Sequence, residues 1–313
     1  MLNRLAIVIA TYNNRRGLQT ALKSISLNSK HPNTVSIVSS GDLIEDIIIQ
    51  YKSRLNILHE HVDKPGQYSQ RQKALHKVFR NHELVLFLDD YAILDSQFIN
   101  ECCTSFSQMN EKVVGMGVTI TNHQIIPPKF IVLRKMLQNY STNGGKVLKS
   151  GIGIPYQDLN KFSSTQWLNG ASIWKNSIFL EFHHAEMSGS YSAAEDLIFS
   201  YPIGKKYQLV TNSDLRIEIS GRQIPNKRFL NRTLSSNLNR LYFVEQHEEL
   251  SKFWFYINFF LSFTLVIFKF FISFNPKMFY ILLGNILSLL YLTYYEILHF
   301  FRFIPSKWLT NRL

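Results

Sequence analysis

The chain has 313 residues, 46% of them hydrophobic, and a formal net charge of +12. This length fits one large domain or two, and the charge is compatible with nucleic acid, an anionic membrane surface or a phosphorylated substrate. The two cysteines, Cys102 and Cys103, are adjacent. This spacing excludes a disulfide framework and a Cys-x-x-Cys metal site, so we expect buried thiols in a reducing compartment.

The first predicted element is a short apolar strand over residues 5–9. It is too short for the core of a signal peptide, and no small-residue cleavage pattern follows it, so we expect the chain to begin in the cytoplasm. The next segment, RRGLQTALKSI, is predicted as a helix because its apolar residues recur at helical spacing. These residues are Leu18, Ala21, Leu22 and Ile25.

The same alternation of strand and helix repeats over the first hundred residues. It predicts an α/β fold with a mostly parallel sheet covered by helices on both faces. No glycine fingerprint of the GxGxxG or phosphate-loop type occurs at the strand ends, so neither kind of nucleotide site has support. The predicted strands lie near 35–39, 56–59 and 84–88, and the predicted helices near 42–51, 66–80 and 95–107.

Polar side chains follow several of these strands. Thr11, Ser39 and the pair Asp89 and Asp90 each come where a predicted strand ends. The carboxyl ends of parallel strands meet at one edge of a sheet, and ligands bind there in such folds. We therefore expect these residues to gather along one rim of the sheet.

The segment from 123 to 165 is less regular, and prolines and paired glycines there predict loops with one helix near 130–140. Order returns afterwards, with a helix predicted from about 194 to 204 and two strands near 207–211 and 215–219.

Two apolar segments follow near the end of the sequence. Phe253–Phe274 has 22 residues with one charge, and Phe279–Tyr295 has 17 residues with none. Each is near the roughly 20 residues that cross a hydrocarbon core, and basic outer flanks favour a spanning hairpin with both ends in the cytoplasm. An in-plane pair is the alternative, because Glu296, His299 and Arg302 share one helical face.

A basic stretch precedes these segments. From Ile219 to Val244 there is no Asp or Glu but five basic residues, which is typical of the cytoplasmic side of a membrane segment. The stretch lacks interleaved aromatic residues, so membrane lipid explains it better than nucleic acid, and we predict no nucleic-acid partner. The predicted organisation is an α/β domain over 1–220, a basic helical linker over 221–250 and two membrane-spanning or membrane-interfacial helices over 251–313.

Four motifs occur in order along the first 215 residues: VIATYNNRRGLQTALKSI, FLDDYAIL, WLNGASIW and SAAEDLIFSYPIG. Together they resemble the family 2 inverting glycosyltransferases, which have the GT-A fold. The resemblance implies a bacterial glycan-assembly enzyme of the inner or cytoplasmic membrane with its catalytic domain in the cytoplasm. Such an enzyme moves a sugar from a nucleotide-diphosphate sugar donor to a hydroxyl of a lipid-linked or growing glycan acceptor. A catalytically silent GT-A-fold membrane scaffold is the alternative, and homo-oligomerisation stays open.

The resemblance also implies roles for individual residues. Asp196 corresponds to the base that deprotonates the acceptor hydroxyl, and Glu195 to a residue that orients sugar or acceptor hydroxyls. Asp89 and Asp90 correspond to the acidic cluster that holds Mn²⁺ or Mg²⁺ against the diphosphate. Tyr91 stands where the family usually has a further acid.

The same resemblance predicts a nucleotide site. Ser39 stands where relatives commonly have an Asp that contacts the base, which leaves uridine, thymidine and guanosine open. Arg71 is expected near the diphosphate or on the surface, and Trp167 at the acceptor or in the core. The residues expected to bind the nucleotide are Thr11, Tyr12, Asn13, Ser39, Arg71 and Asp89.

Overall fold

The computed structural model describes residues 4–122, 131–156, 161–183, 193–220 and 225–300. The chain divides into two compact units. The first comprises Met1–Ile126, Pro155–Ala185 and Asp196–Arg222, and the second comprises Pro127–Ile154, Glu186–Glu195 and Gln223–Leu313. Arg222 of the basic stretch and Arg302 of the predicted helical face lie outside the described residues.

The first unit is built on a mixed β-sheet. Its strands, numbered in chain order, are β1 Leu5–Tyr12, β2 Thr34–Ser40, β3 Ile57–His61, β4 Leu84–Asp89, β5 Ala92–Leu94, β6 Val113–Ile120, β7 Phe162–Thr165, β8 Ser172–Lys175 and β9 Gln208–Ile219. Among the described residues these nine strands form one sheet in the order β3-β2-β1-β4-β8-β6-β9-β5, with β7 also paired to β9.

The helices of this unit alternate with the strands. They are α1 Arg15–Ser26, α2 Glu45–Lys52, α3 Gln67–His76, α4 Phe98–Gln108, α6 Ile178–Glu181 and α7 Glu195–Lys206, whose first residue belongs to the second unit. The second unit contains α5 Ile131–Met136, α8 Arg228–Glu245, α9 Lys252–Ser273 and α10 Pro276–Phe300.

Both faces of the sheet are buried, as the alternation of elements predicts. Along β1, Leu5, Ile7 and Ile9 belong to one apolar cluster, and Ala6 and Val8 belong to another. Successive side chains of a strand point to opposite faces, so each cluster lies on one face of the sheet. The first cluster includes the apolar residues of α1, and the second those of α3. The α/β prediction is therefore confirmed.

The two halves of the sheet differ in strand direction. β1, β2, β3 and β4 pair in parallel, as predicted, whereas β8 runs antiparallel between β4 and β6. The strands β5, β6, β7 and β8 are not in the sequence prediction. The prediction of two separate strands at 207–211 and 215–219 is wrong, because both lie in the single strand β9. β9 pairs in parallel with β6, and their register shifts between Val118 and Thr119 of β6.

The second unit contains the two apolar helices expected from the sequence. Lys252–Ser273 and Pro276–His299 have mean hydropathies of 1.9 and 1.5, and by length and composition each is able to cross a membrane. Most of the basic stretch before them lies in α8. In the first unit, Cys102 and Cys103 are buried free thiols, as predicted.

Candidate active site

The strand ends gather on one rim, as the sequence predicts. In the parallel pairing of β1 with β2, Thr11 lies opposite Ser39, and in the pairing of β1 with β4, Ala10 lies opposite Asp89. The Thr11 hydroxyl donates a 2.7 Å hydrogen bond to Oδ2 of Asp90, which is only 3% exposed. The Asp90 carboxylate thus ties the end of β4 to the end of β1.

The loop after β1 has a constrained backbone. Asn13 has φ +47°, in the left-handed region that residues other than glycine rarely adopt, and its Oδ1 accepts a 2.9 Å hydrogen bond from the backbone N–H of Asp42. Gly41 has φ +77°, and a Cβ there would lie 3.1 Å from a ring carbon of Tyr12. The loops that follow β1 and β2 therefore support each other at the rim.

Gln70, which was not among the predicted site residues, links β1 to β2 through its side chain. Its side-chain amide donates 2.9 Å hydrogen bonds to the carbonyl oxygens of Thr11 and Val38, and its Oε1 accepts one from the N–H of Gly66. The residue is 1% exposed. An isolated glutamine on a polar helix carries no sequence signal for such a role.

The next residue of α3, Arg71, forms a buried ion pair. Its Nη2 lies 2.8 Å from Oδ1 of Asp89, and the side chains are 4% and 21% exposed respectively. The guanidinium also lies over the ring of Phe87, 5.8 Å from its centroid. A buried charge requires a partner, and this one has Asp89 at the rim, so the surface alternative for Arg71 is wrong.

Asp196 lies close to this pair. Asp196, Arg71, Asn169 and Gly170 all line a cavity of about 10 Å³, roughly the space of one water molecule. A Cβ on Gly170 would lie 3.5 Å from Nη2 of Arg71 and 4.0 Å from Oδ2 of Asp89. Oδ1 of Asn169 is buried without a hydrogen-bond partner among the described residues. The backbone at Gly170 thus leaves the charged groups approachable.

The electrostatic setting of Asp196 is unusual for an aspartate. Burial raises the pKa of its carboxyl group, and the nearby Asp89 carboxylate raises it further, whereas the N–H of Leu197 and the Arg71 guanidinium oppose the shift. The residue before the pair Glu195 and Asp196 is Ala194, with φ +66°. Left-handed backbone at a non-glycine residue is strained, and such strain is frequent at functional sites.

Ser39 is held by two histidines that the sequence analysis did not identify. Its hydroxyl oxygen lies 2.8 Å from Nε2 of His59 and 3.1 Å from Nδ1 of His61. Ser39 is fully buried at the end of β2, whereas both histidines are partly exposed. Burial lowers the pKa of His59, and the Glu45 carboxylate opposes that shift. Two imidazoles two residues apart on one strand face were the available signal.

The remaining predicted positions have mixed surroundings. Glu195 is 5% exposed at the first residue of α7. Trp167 is buried with its ring 6.1 Å from that of Tyr156, which is the core environment.

The acidic residues fit a divalent cation that takes most of its ligands from phosphate and water. Asp89 is a partly exposed carboxylate at the rim, whereas Asp90 is buried against Thr11. Within the described ranges, no group of three or more His, Cys, Asp or Glu side chains is arranged to hold a metal ion. Mg²⁺ and related ions are often held by one or two carboxylates together with substrate phosphates, and Asp89 suits that arrangement.

No family model matches the chain, and no curated protein matches it either. Solved structures do. The mannosyltransferase PcManGT from Pyrobaculum calidifontis, in complex with GDP-Man and Mn²⁺, has a TM-score of 0.57 at 11% identity and is covered to 88% by 92% of this chain. GalNAc-T7 with UDP, GalNAc and Mn²⁺ has a TM-score of 0.56 at 12% identity, over 78% of this chain and 48% of that one.

S. aureus TarS is a further match, with a TM-score of 0.50 at 12% identity over 75% of this chain. The match spans 39% of the TarS chain. At these identities the likeness shows the fold. The chain therefore has the GT-A-type fold of these glycosyltransferases, as the sequence motifs predict.

Proposed function

We propose that this protein is an inverting glycosyltransferase of the family 2 type. It moves a sugar from a nucleotide-diphosphate sugar to a hydroxyl of a lipid-linked or growing glycan at the cytoplasmic face of a membrane. One observation carries the proposal: Arg71 and Asp196 line one cavity, and Arg71 pairs there with Asp89. The position of these residues at the sheet rim of a glycosyltransferase fold supports the proposal.

In this proposal, the donor nucleotide binds along the carboxyl ends of β1 and β2. Thr11, Tyr12 and Asn13 form the constrained loop, and Ser39 lies beside them. A guanidinium suits a diphosphate because its planar set of N–H donors matches phosphate oxygens and its positive charge is permanent. Arg71 is buried close to the rim and would bind the leaving diphosphate.

A divalent cation would be held at Asp89, with Asp90 beneath it. When bound, Mn²⁺ or Mg²⁺ stabilises the negative charge that develops on the diphosphate as the glycosidic bond breaks. Mn²⁺ is present in the structures of PcManGT and GalNAc-T7. Direct ligation by Asp90 stays a prediction, since its Oδ2 accepts the Thr11 hydrogen bond.

Asp196 is the proposed base. The acceptor oxygen forms a bond to the anomeric carbon, the bond from that carbon to the phosphate oxygen breaks, and the diphosphate leaves with the electron pair. The acceptor proton passes to the Asp196 carboxylate. The raised pKa favours this role, because a carboxylate with a higher pKa is a stronger base. Glu195 precedes it on α7 and would orient hydroxyls of the sugar or acceptor.

The apolar helices support a lipid-linked acceptor. A protein held at a membrane shares a two-dimensional surface with such a substrate, which raises the frequency of their encounter. Deleting the helices would then impair transfer to a lipid-linked acceptor more than transfer to a soluble one.

A catalytically silent scaffold is the second candidate. It is favoured by Tyr91 and Ser39, which depart from the family pattern, and by the Arg71–Asp89 ion pair, which forms without a ligand. Such a protein would keep the fold without binding a donor.

The two candidates are separated by ligand binding and by product analysis. Melting temperatures of the full chain in detergent would be measured with UDP, dTDP, GDP and CMP, each with Mn²⁺ and with a chelator. We expect one diphosphate to raise the melting temperature in a metal-dependent way, because a ligand that binds only the native state stabilises it. No shift with any nucleotide favours the scaffold. Turnover of the matching sugar nucleotide, with the product configuration read by NMR, then tests inversion, and retention would refute it.

A further inference from the structure

α8 runs beside α10 for its whole length and in the same direction. At its start, the Phe229 ring lies 4.5 Å from Nζ of Lys277. At its end, the Tyr295 hydroxyl donates a 2.6 Å hydrogen bond to Oε2 of Glu245. The start of α8 therefore lies beside the start of α10, and the end of α8 lies near the end of α10.

The contacts between these two points are close and polar. A Cβ on Gly284 would lie 2.9 Å from the carbonyl oxygen of Leu230, so the backbones approach each other there. Farther along, the Asn237 amide donates to Oδ1 of Asn285 at 3.2 Å and to the hydroxyl of Ser288 at 3.0 Å. These buried hydrogen bonds fix α8 on α10.

α9 and α10 form an antiparallel hairpin. Lys252 pairs with Glu296 at 2.6 Å at the open end, and the rings of Phe270 and Phe279 lie 6.2 Å apart near the tip. The start of α8 is therefore level with the hairpin tip. That start is exposed and basic, with Lys227, Arg228 and Arg232.

This arrangement is unfavourable for a hairpin that crosses a bilayer. α8 has 18 residues and is about 27 Å long, close to the roughly 30 Å of a hydrocarbon core. If α10 spanned that core, α8 would span it as well, with Asn231 and Arg232 exposed toward lipid. Exposed polar and cationic side chains are strongly disfavoured there.

The exposed side chains of the unit fit an interface instead. Val132 and Met136 of α5 are 73% and 68% exposed, and Ile272 of α9 is 81% exposed. α5 is tied to α9 because the Asn258 amide donates a 2.8 Å hydrogen bond to the carbonyl oxygen of Leu137. Apolar side chains are thus available on more than one helix of the unit.

The charge of the three helices near the hairpin tip is of one sign. The sequence has no Asp or Glu from residue 225 to 244 or from 251 to 295. Exposed cations lie around the hairpin tip: Lys227, Arg228, Arg232, Lys269 and Lys277. A group of cations next to exposed apolar side chains is complementary to a leaflet with anionic headgroups.

We propose that α8, α9 and α10 lie in the plane of an anionic membrane surface and do not cross it. The exposed apolar side chains of α9 and α10 enter one leaflet, and the cations at the tip contact lipid phosphates. This selects the in-plane alternative of the sequence analysis, and it is independent of the transfer reaction.

The side of the membrane on which the hairpin tip lies tests the proposal. Asn275→Cys places a single reactive thiol at the tip, because Cys102 and Cys103 are buried. Glu111→Cys, at an exposed position of the first unit, is the matched control. In bacterial cells, we expect a membrane-impermeant maleimide to label both variants in inverted membrane vesicles and neither in spheroplasts. Labelling of the tip from spheroplasts, or only after detergent is added, would overturn the proposal.

Lipid charge provides a second test. The triple variant Arg228→Gln, Arg232→Gln, Lys277→Gln would be compared with a control of equal charge change, Lys52→Gln, Arg54→Gln, Lys112→Gln, at exposed positions of the first unit. In flotation with vesicles containing phosphatidylserine, each lost cation is worth about 1 kcal/mol, so we expect the first triple to bind on the order of a hundredfold more weakly. Equal binding of both triples would contradict the proposal.

Discussion

Each unit of the chain contains a cluster of charged side chains, and the two clusters differ in how fully their groups are paired. The first, at the sheet rim, is called here the rim cluster: Arg71, Asp89, Asn169 and Asp196. The second lies where α8 and α10 end and α9 begins. It is called the helix cluster: Glu245, Lys252, Tyr256, Tyr295 and Glu296.

The helix cluster is closed. Lys252 lies 2.9 Å from Glu245 and 2.6 Å from Glu296, and each carboxylate also accepts a tyrosine hydroxyl, at 2.6 Å from Tyr295 and 2.7 Å from Tyr256. The rim cluster has a small cavity, a buried amide oxygen on Asn169 without a described partner, and an aspartate whose pKa burial raises. Closed networks stabilise a fold, whereas incompletely paired groups beside a cavity are suited to a ligand.

The largest expected effect is the loss of the proposed base, Asp196. Asp196→Asn keeps the side-chain volume but cannot take a proton, so we expect the rate of sugar transfer to fall by about 10²- to 10⁴-fold with nucleotide binding retained. Glu111→Gln, an exposed acid on the same unit, is the control. Initial rates with saturating donor check this, and a rate within threefold of the wild type would contradict the role of Asp196.

The same variant also reports stability. The folded state raises the pKa of Asp196 above its ordinary value of 3.8, so it binds the proton more tightly than the unfolded state does. Stability is therefore lost as pH rises from 3.8 through the folded pKa. Asp196→Asn lacks this loss, and its melting temperature should equal or exceed that of the wild type at pH 7. The advantage should shrink toward pH 4, and a variant less stable at pH 7 would contradict this.

Removing the rim cation should give the next largest effect. Arg71→Met deletes the guanidinium, and charge-assisted hydrogen bonds are worth about 1.5–3 kcal/mol, so we expect affinity for the nucleoside diphosphate to fall about 10- to 100-fold. Arg80→Met is a matched control, because Arg80 lies over Phe79 at 5.5 Å as Arg71 lies over Phe87 at 5.8 Å. Calorimetric titration distinguishes them, and equal affinities would remove Arg71 from the donor site.

In the helix cluster the corresponding change should affect stability only. Lys252→Met leaves Glu245 and Glu296 without their shared cation, and because Lys252 is 36% exposed we expect a loss of only about 1 kcal/mol. Lys206→Met breaks an exposed ion pair with Glu181 and is the control. Melting in detergent and initial transfer rates are the measurements. A loss of transfer without a loss of stability would show that the two clusters do not differ in kind.

The strands β1 to β4 could be predicted, but in the other half of the sheet only residues of β9 could, for a reason visible in β6. Local alternation of apolar segments predicts β1 to β4, because each of these strands is followed by a helix, directly or, for β4, after the short strand β5. β6 contains Gly115 and Gly117, which disfavour a strand assignment in isolation. In the fold, a Cβ at these positions would lie 2.7 Å from the Trp174 ring and 2.4 Å from the Tyr156 hydroxyl. The glycines make room for side chains distant in sequence.

The rim cluster shows the same limit. The motifs, whose order along the chain resembles that of the family 2 glycosyltransferases, predicted Asp89, Arg71 and Asp196 as site residues. The buried hydrogen bonds of Gln70 and the contacts of His59 with Ser39 depend on strand neighbours that no single-sequence pattern specifies. Their chemistry became apparent only once β1, β2 and β3 were placed side by side.

The smallest expected effect belongs to His59. Like the helix cluster it has a hydrogen-bond partner, Ser39, and like Asp89 in the rim cluster it is partly exposed. Burial lowers its pKa below the ordinary value of 6.5, so the unfolded state takes up a proton first as pH falls. Stability is therefore lost as pH falls from 6.5 toward the folded pKa. His59→Gln keeps a hydrogen-bonding side chain without that protonation, and its melting temperature should fall less between pH 7 and 5 than that of the wild type.

His76→Gln, at an exposed position on α3, is the control for losing one imidazole. The pH dependence of its melting temperature should follow that of the wild type. If His59→Gln follows the wild type as well, protonation of His59 does not limit stability at low pH. A difference confined to His59→Gln would place a proton-sensitive contact at the end of β2, next to the proposed nucleotide site.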